Sequence, residues 1–151
     1  MSAGFAPREV FDQILEWAVI PTFDLVFKYG EEGYVMVKRT IAPYKNVWAF
    51  PGLRMYKGET IDQTLGRIAE QELGIRPKLS HKVLIGQYVG KFSTEHSRQD
   101  ISSGYLVQLR GDEKLVPNPE HFSDIKIVKV APLNTGAMYR YYLEEAISLE
   151  S

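Results

Sequence analysis

The sequence predicts a single domain, residues 1–151, of the α/β class, or α+β with a mixed β-sheet sandwiched between helices. Three observations carry this. The length of 151 residues suits one domain of ordinary size. Hydrophobic periodicity alternates between helical and strand spacing in the order helix, strands, central helix, strands, final helix. The composition, 44% hydrophobic and 12% aromatic with 12 glycines and 8 prolines, is that of a folded chain.

The first helix is expected over residues 8–18. Val10, Ile14 and Trp17 form one ridge at i, i+4, i+7 spacing, Phe11, Leu15 and Ala18 form a parallel one, and Pro7 suits a helix start. Strands over 22–29 and 34–40 flank the turn Gly30-Glu31-Glu32-Gly33 and read as a hairpin. Residues 43–58 are irregular, punctuated by Pro43, Pro51, Gly52 and Gly58. A helix over 60–73 ends at Gly74, with Pro77 just beyond. Residues 82–92, 102–110 and 125–130 have strand chemistry, and the polar stretch 93–100 reads as a surface loop. The last helix, 135–149, carries Met138, Tyr142, Ala146 and Leu149 on one face.

Charge and cysteine content narrow the function classes. A net charge of −1 gives no bulk field toward nucleic acid or an anionic membrane, though it leaves room for a local arginine cluster around a small anion. The absence of cysteine removes disulfide scaffolds, thiolate metal sites and thiol nucleophiles. No apolar run approaches the roughly 18–20 residues of a membrane span, and the first ten residues lack a signal-peptide layout. A cytoplasmic, soluble protein is the expectation.

One carboxylate is out of place. On a helical wheel, Ile61, Leu65, Ile68, Ala69 and Leu73 gather into an apolar arc, and Glu72 falls near its middle. A carboxylate buried there calls for a cation, a metal ion or a raised pKa; the alternative is an exposed last turn. Upstream, Pro51-Gly52-Leu53-Arg54 and Lys57-Gly58-Glu59 feed the helix N-terminus, where free N–H groups favour phosphate. Arg39, Arg54 and Arg67 surround this junction, which makes it a candidate metal–phosphate site.

The stretch from Trp48 through Gly52, Glu59, Arg67 and Glu72-Leu73-Gly74-Ile75 resembles the signature of the Nudix hydrolases. That signature runs Gly, five residues, Glu, seven residues, Arg-Glu, apolar, any, Glu-Glu, any, Gly, apolar. Seven residues lie between Glu59 and Arg67, and Glu72, Gly74 and Ile75 fall in register. Leu53 replaces the first Gly, Ile68 the Glu after the Arg, and Gln71 the first Glu of the pair. Glu70 lies roughly opposite Glu72 on the wheel, so the helix suits one hard ion better than several. The reduced pattern, with Asp24, Lys38-Arg39-Thr40, Trp48, Pro51-Gly52, Arg54 and, more loosely, Asp100 and Tyr105, resembles the GDP-mannose mannosyl hydrolase branch of that superfamily.

The resemblance implies a Nudix-type fold and Mg²⁺-dependent hydrolysis of a GDP-sugar, GDP-mannose by preference, to GDP and free sugar by water attack at the sugar C1. It implies one Mg²⁺, or Mn²⁺, held by the Gly52 carbonyl, Glu72 and Glu120. Arg39, Arg54 and Arg67 would stabilise the departing diphosphate or orient the site, while Asp24 and Tyr105 join Arg39 and Arg54 in binding substrate. The branch has a Gln-His pair before a late strand. Matching its His to His121 makes His121 the general base and Glu120 a metal ligand; holding the strand fixed instead puts His121 on the Gln position. The first pairing is preferred because an imidazole titrates near pH 6.5. A homodimer is implied too, with Phe5 and Phe11 of the first helix region as exposed contacts. Two other readings stand beside this one: a pyrophosphohydrolase of a nucleoside diphosphate-linked substrate using Glu59, Glu70 and Glu72, and a catalytically silent nucleotide-binding module.

Overall fold

The computed structural model of the protein describes residues 6–42, 44–93 and 96–150. Its elements are α1 (Arg8–Trp17), β1 (Val19–Tyr29), β2 (Gly33–Arg39), β3 (Trp48–Ala49), β4 (Gly52–Arg54), α2 (Ile61–Leu73), β5 (Val83–Lys91), β6 (Gln99–Leu109), β7 (Phe122–Val128) and α3 (Ala137–Glu150). The strands form one 7-stranded sheet with the path β3-β2-β1-β6-β5, to which β4 adds beside β1 and β7 beside β2. The β1–β6 pair is parallel, from Val19 opposite Gln99 to Tyr29 opposite Leu109, and the other strand pairs are antiparallel. The mixed sheet between helices is therefore as the sequence predicts. None of the described helices is long and apolar enough to cross a membrane.

Alternation along β1 divides the core. Phe23, Leu25 and Phe27 pack with Leu65, Ile68, Ala69 and Leu73 of α2. Val26 belongs to the opposite layer with Met138, Tyr139, Tyr142 and Leu143 of α3. Successive strand residues point to opposite faces, so Asp24 shares the face of Val26 and α3. That one-residue parity places the only acid of β1 away from the α2 core.

Helix α2 starts on a reciprocal cap: Thr60 Oγ1 accepts from Gln63 N–H at 3.1 Å, and Gln63 Oε1 accepts from Thr60 N–H at 2.8 Å. It ends at Gly74, whose φ of 68° is left-handed and whose N–H bonds to the Glu70 carbonyl at 3.0 Å. The chain 116–122 is then sewn to this end: Val116 N–H bonds to Leu73 O and Asn118 N–H to Glu72 O, each at 2.9 Å. A register shift between Lys38 and Arg39 precedes the last β2–β7 pair, Arg39 with Phe122, and Thr40 N–H bonds to His121 O at 2.8 Å. These bonds carry residue 121 to the last turn of α2.

Several boundaries differ from the sequence reading. The region read as irregular contains β3 and β4, which are two and three residues long and owe their order to pairing with β2 and β1 respectively. Strands β1, β6 and β7 each begin three residues earlier than expected, so Gln99 and Asp100 leave the surface-loop reading. In α1 only Leu15 is buried, and the ridge Val10, Ile14, Trp17 faces outward. Ile61 and Leu149 are exposed rather than part of the apolar faces assigned to them. Phe11 is half-buried beneath a guanidinium, not an open contact, while Phe5 lies outside the described residues.

Candidate active site

A cavity of about 540 Å³ opens between α1, the ends of β4 and β6, and the start of α3, with Asp24, Arg39, Gly52, Arg54 and His121 in its lining. Five of the residues singled out from sequence thus meet in one place. Aromatic side chains form another part of the wall. Tyr44 lies edge-on to both Phe92 and Tyr139, with ring centroids 5.4 Å apart in each pair. Arg98 and Asp100 complete the lining as an ion pair with Nε to Oδ1 at 2.7 Å.

Glu72 is buried at 1% exposure, so the wheel placed it correctly. His121 Nδ1 contacts both its oxygens, Oε1 at 2.8 Å and Oε2 at 3.0 Å. Burial raises the Glu72 pKa, and the contacts with His121 and Asn118 oppose that rise. A carboxylate on Nδ1 favours the tautomer with its proton there and leaves the Nε2 lone pair available. The two carboxylate oxygens still offer further lone pairs.

Asp24 is buried at 4% exposure. Ser102 Oγ donates to its Oδ2 at 2.5 Å, and Tyr142 Oη donates to Ser102 Oγ at 2.8 Å. Desolvation outweighs this hydrogen bond and the nearby Arg39 charge, and pushes the Asp24 pKa up to about 7. Arg39 closes β2 beside the cavity, with Nη2 donating to the Ala42 carbonyl at 3.4 Å. Arg54 stacks its guanidinium over Phe11 at 4.8 Å and Tyr56 at 4.9 Å. Burial lowers its pKa from the ordinary arginine value.

Three expected site residues stand elsewhere. Arg67 does not line the cavity: its Nε and Nη2 donate to Glu59 at 2.7 and 2.9 Å, and Nη2 also donates to the Arg54 carbonyl at 2.7 Å. Its guanidinium covers the Tyr56 ring at 3.7 Å. It holds the loop that carries Arg54, a positioning task. Tyr105 packs on the α2 side against Phe23, centroids 6.2 Å apart, because Asp24 is in register with Gly104 and residue 105 must point to the other face. Glu120 is exposed, and its backbone N–H bonds to Asn118 Oδ1 at 3.0 Å. Asn118, unremarked in the sequence, takes the inward place: its Nδ2 lies 3.4 Å from His121 Nδ1. A turn-former between Pro117 and Pro119 was the available signal. Ser102 was also missed, although Asp100, Ser102 and Gly104 make a polar and small alternation along β6.

The other two acids considered for this site, Glu59 and Glu70, are engaged away from the cavity. Glu59 accepts from Arg67, from Tyr56 N–H at 2.7 Å and from Thr64 Oγ1 at 3.0 Å, and the Arg67 bonds lead in holding its pKa down to about 2. Glu70 is exposed and pairs with Arg76 at 2.8 Å. Among the described residues no three His, Asp or Glu side chains gather into a metal cluster. One buried, incompletely compensated carboxylate with lone pairs to spare fits a single hard divalent ion whose other ligands come from phosphate and water.

A mixed sheet with a capped helix that buries one glutamate against the histidine of a helix-flanked cavity is a Nudix-type scaffold. Residues 20–145 match the family model of the NUDIX domain, and the chain belongs to this family. The low-salt glycan biosynthesis protein Agl8 of Haloferax volcanii is 27% identical over 95 residues, 63% of this chain. That match spans about half of Agl8, 56% of its length. A MutT NUDIX hydrolase from Burkholderia pseudomallei superposes with a TM-score of 0.73 at 17% identity, covering 83% of this chain and 96% of that one. A bifunctional NMN adenylyltransferase/ADP ribose pyrophosphatase from Francisella tularensis, solved with AMP and a Mn ion, gives 0.61 at 18% identity over 94% of this chain and 44% of that one. These two structural likenesses carry the fold.

Proposed function

We propose that the protein hydrolyses a nucleoside diphosphate sugar, GDP-mannose first among candidates, at the C1–O bond, releasing the nucleoside diphosphate and free sugar. The observation that carries this reading is the Glu72–His121 pair: α2 holds one buried carboxylate behind the cavity wall, and the His121 imidazole that lines the cavity contacts it at 2.8 Å. Water attacks C1 while His121 Nε2 takes its proton, and the diphosphate oxygen leaves with the electron pair of the broken bond. Arg39 and Arg54 meet the negative charge that grows on that oxygen, which lowers the barrier more than it stabilises bound substrate. Asp24 accepts a hydrogen bond from a sugar hydroxyl. The Glu72 carboxylate and the Gly52 carbonyl would hold a single Mg²⁺ or Mn²⁺, which would supply further positive charge for the leaving diphosphate.

The relative named for glycan biosynthesis supports a sugar-linked substrate. Cleavage at phosphorus by Glu59, Glu70 and Glu72 requires three acids around metal, and Arg67 and Arg76 hold two of them elsewhere. The test is ³¹P NMR of products after incubation with Mg²⁺ and GDP-mannose. Diphosphate signals of GDP with free mannose are expected. Phosphomonoester signals of GMP and mannose 1-phosphate overturn the reading in favour of a pyrophosphohydrolase, and binding without turnover overturns it in favour of a silent module.

A further inference from the structure

Asp24 is flanked by glycine on both neighbouring strands: Gly52 of β4 on one side and Gly104 of β6 on the other are its register partners. Neither position has room for a side chain. A Cβ on Gly52 would overlap the Asp24 carboxylate and lie 2.8 Å from Asp24 Cγ and the Phe23 carbonyl. A Cβ on Gly104 would lie 2.7–2.8 Å from three ring carbons of Tyr142. The first glycine lets the carboxylate lie flat over β4. The second lets a tyrosine of α3 lie flat on β6, and that approach brings its hydroxyl to Ser102.

The result is a buried chain of three side chains from three elements: Tyr142 Oη donates to Ser102 Oγ at 2.8 Å, and Ser102 Oγ donates to Asp24 Oδ2 at 2.5 Å. Ser102 is 1% exposed at the cavity wall and Tyr142 is 0% exposed behind it, so both hydroxyls are shielded from bulk solvent. A serine hydroxyl has one proton and rotates freely unless a second partner fixes it. With Tyr142 donating to its oxygen, the Ser102 proton has one remaining use, the Asp24 carboxylate. Nothing in the packing of α3 requires a hydroxyl at this ring, since phenylalanine fills the same volume.

We propose that Ser102 and Tyr142 are positioning residues that fix the orientation of the Asp24 carboxylate and thereby set how strongly the site selects the sugar. This rests on the assignment of Asp24 to a sugar hydroxyl made above. Oδ2 is occupied by serine, so Oδ1, held over Gly52, is the oxygen that meets the substrate. Freeing the carboxylate to rotate weakens recognition of the sugar and leaves the hold on the diphosphate untouched.

The test measures kcat/KM for GDP-mannose and Ki for GDP, which lacks the sugar, in the whole protein with Mg²⁺. Tyr142→Phe is expected to lower kcat/KM about threefold to tenfold, the span of one neutral hydrogen bond, with Ki for GDP unchanged. In an Asp24→Asn background the same substitution is expected to cost nothing further. A parallel fall in kcat/KM and in GDP affinity, or an equal cost in both backgrounds, overturns the positioning role. Ser102→Ala, which removes one oxygen, provides a second reading should Tyr142→Phe fold poorly. A crystal structure of Tyr142→Phe separates the two assignments. An unmoved Asp24 carboxylate overturns the proposal whatever the substrate, whereas a displaced one with unchanged sugar selectivity overturns the assignment of Asp24 to the sugar.

Discussion

The loop entering α2 and the cavity across the sheet hold the same kinds of residue and treat them in opposite ways. In the loop, Glu59 receives four hydrogen bonds, from Arg67 twice and from Tyr56 and Thr64, and its pKa falls to about 2. In the cavity, Asp24 receives one hydroxyl donor, and its pKa rises to about 7. A carboxylate surrounded by donors becomes a strut, because charge and geometry are both satisfied by the protein. One that is buried with few donors keeps free capacity for a ligand, at the expense of stability. Glu72 belongs to the second kind, since burial raises its pKa despite His121 and Asn118.

The largest effect falls on chemistry in the cavity. His121→Ala is expected to lower kcat about 10²–10⁴-fold, the usual share of a general base, and to lower the melting temperature as well because buried Glu72 loses its partner. Unaltered kcat would move the base elsewhere. In the loop the effect falls on folding instead. Arg67→Ala leaves Glu59 without its cation and the Arg54 carbonyl without its donor, and a loss of about 3 kcal/mol is expected in urea denaturation.

Acid–base linkage separates the two regions further. Asp24 has a folded value of about 7 against 3.8 for the ordinary side chain, so between those values the folded state holds a proton that the unfolded chain has lost. Its contribution therefore turns against the fold as pH rises through that window. Asp24→Asn is expected to raise the melting temperature at pH 8, with the gain shrinking as pH falls below 7 and vanishing near pH 4. Glu59 has the opposite sign. Its stabilisation is complete above the ordinary value of 4.5 and is lost as pH falls toward 2. Glu59→Gln is expected to cost about 1–2 kcal/mol at neutral pH and progressively less below pH 4.5, read from denaturant midpoints along a pH series.

The sequence made α2 legible because its signals are local: an apolar arc, Gly74 as a stop, and one acid inside the arc. Arg39, Gly52 and Arg54 were legible through a spacing shared with a family, and His121 through its imidazole chemistry between two competing registers. The failures share a cause. Whether Tyr105 or Ser102 faces Asp24 depends on the parallel register of β1 with β6, and a shift of one residue exchanges the faces. Whether Glu120 or Asn118 points at Glu72 depends on the turn around Pro117 and Pro119, where the bonds from Phe122 and His121 N–H to Asn118 O fix the direction. Strands β3 and β4 are too short to show a period at all. Register and turn direction are properties of pairing, and pairing is not written at any single position.

The contact between Asp24 and Ser102 joins residues 78 apart in the chain, and that between His121 and Glu72 joins residues 49 apart. Long closures of this kind come late and slowly when a chain folds, because the entropy of closing the loop is spent before the contact repays it. No hairpin or single helix of this protein contains a working fragment of the site. A nascent chain that has produced β1 and α2 but not β6 and residue 121 already carries Asp24 and Glu72, and neither has its partner. Catalytic competence is thereby tied to the last long-range pairing, so the appearance of activity during refolding times the completion of the sheet.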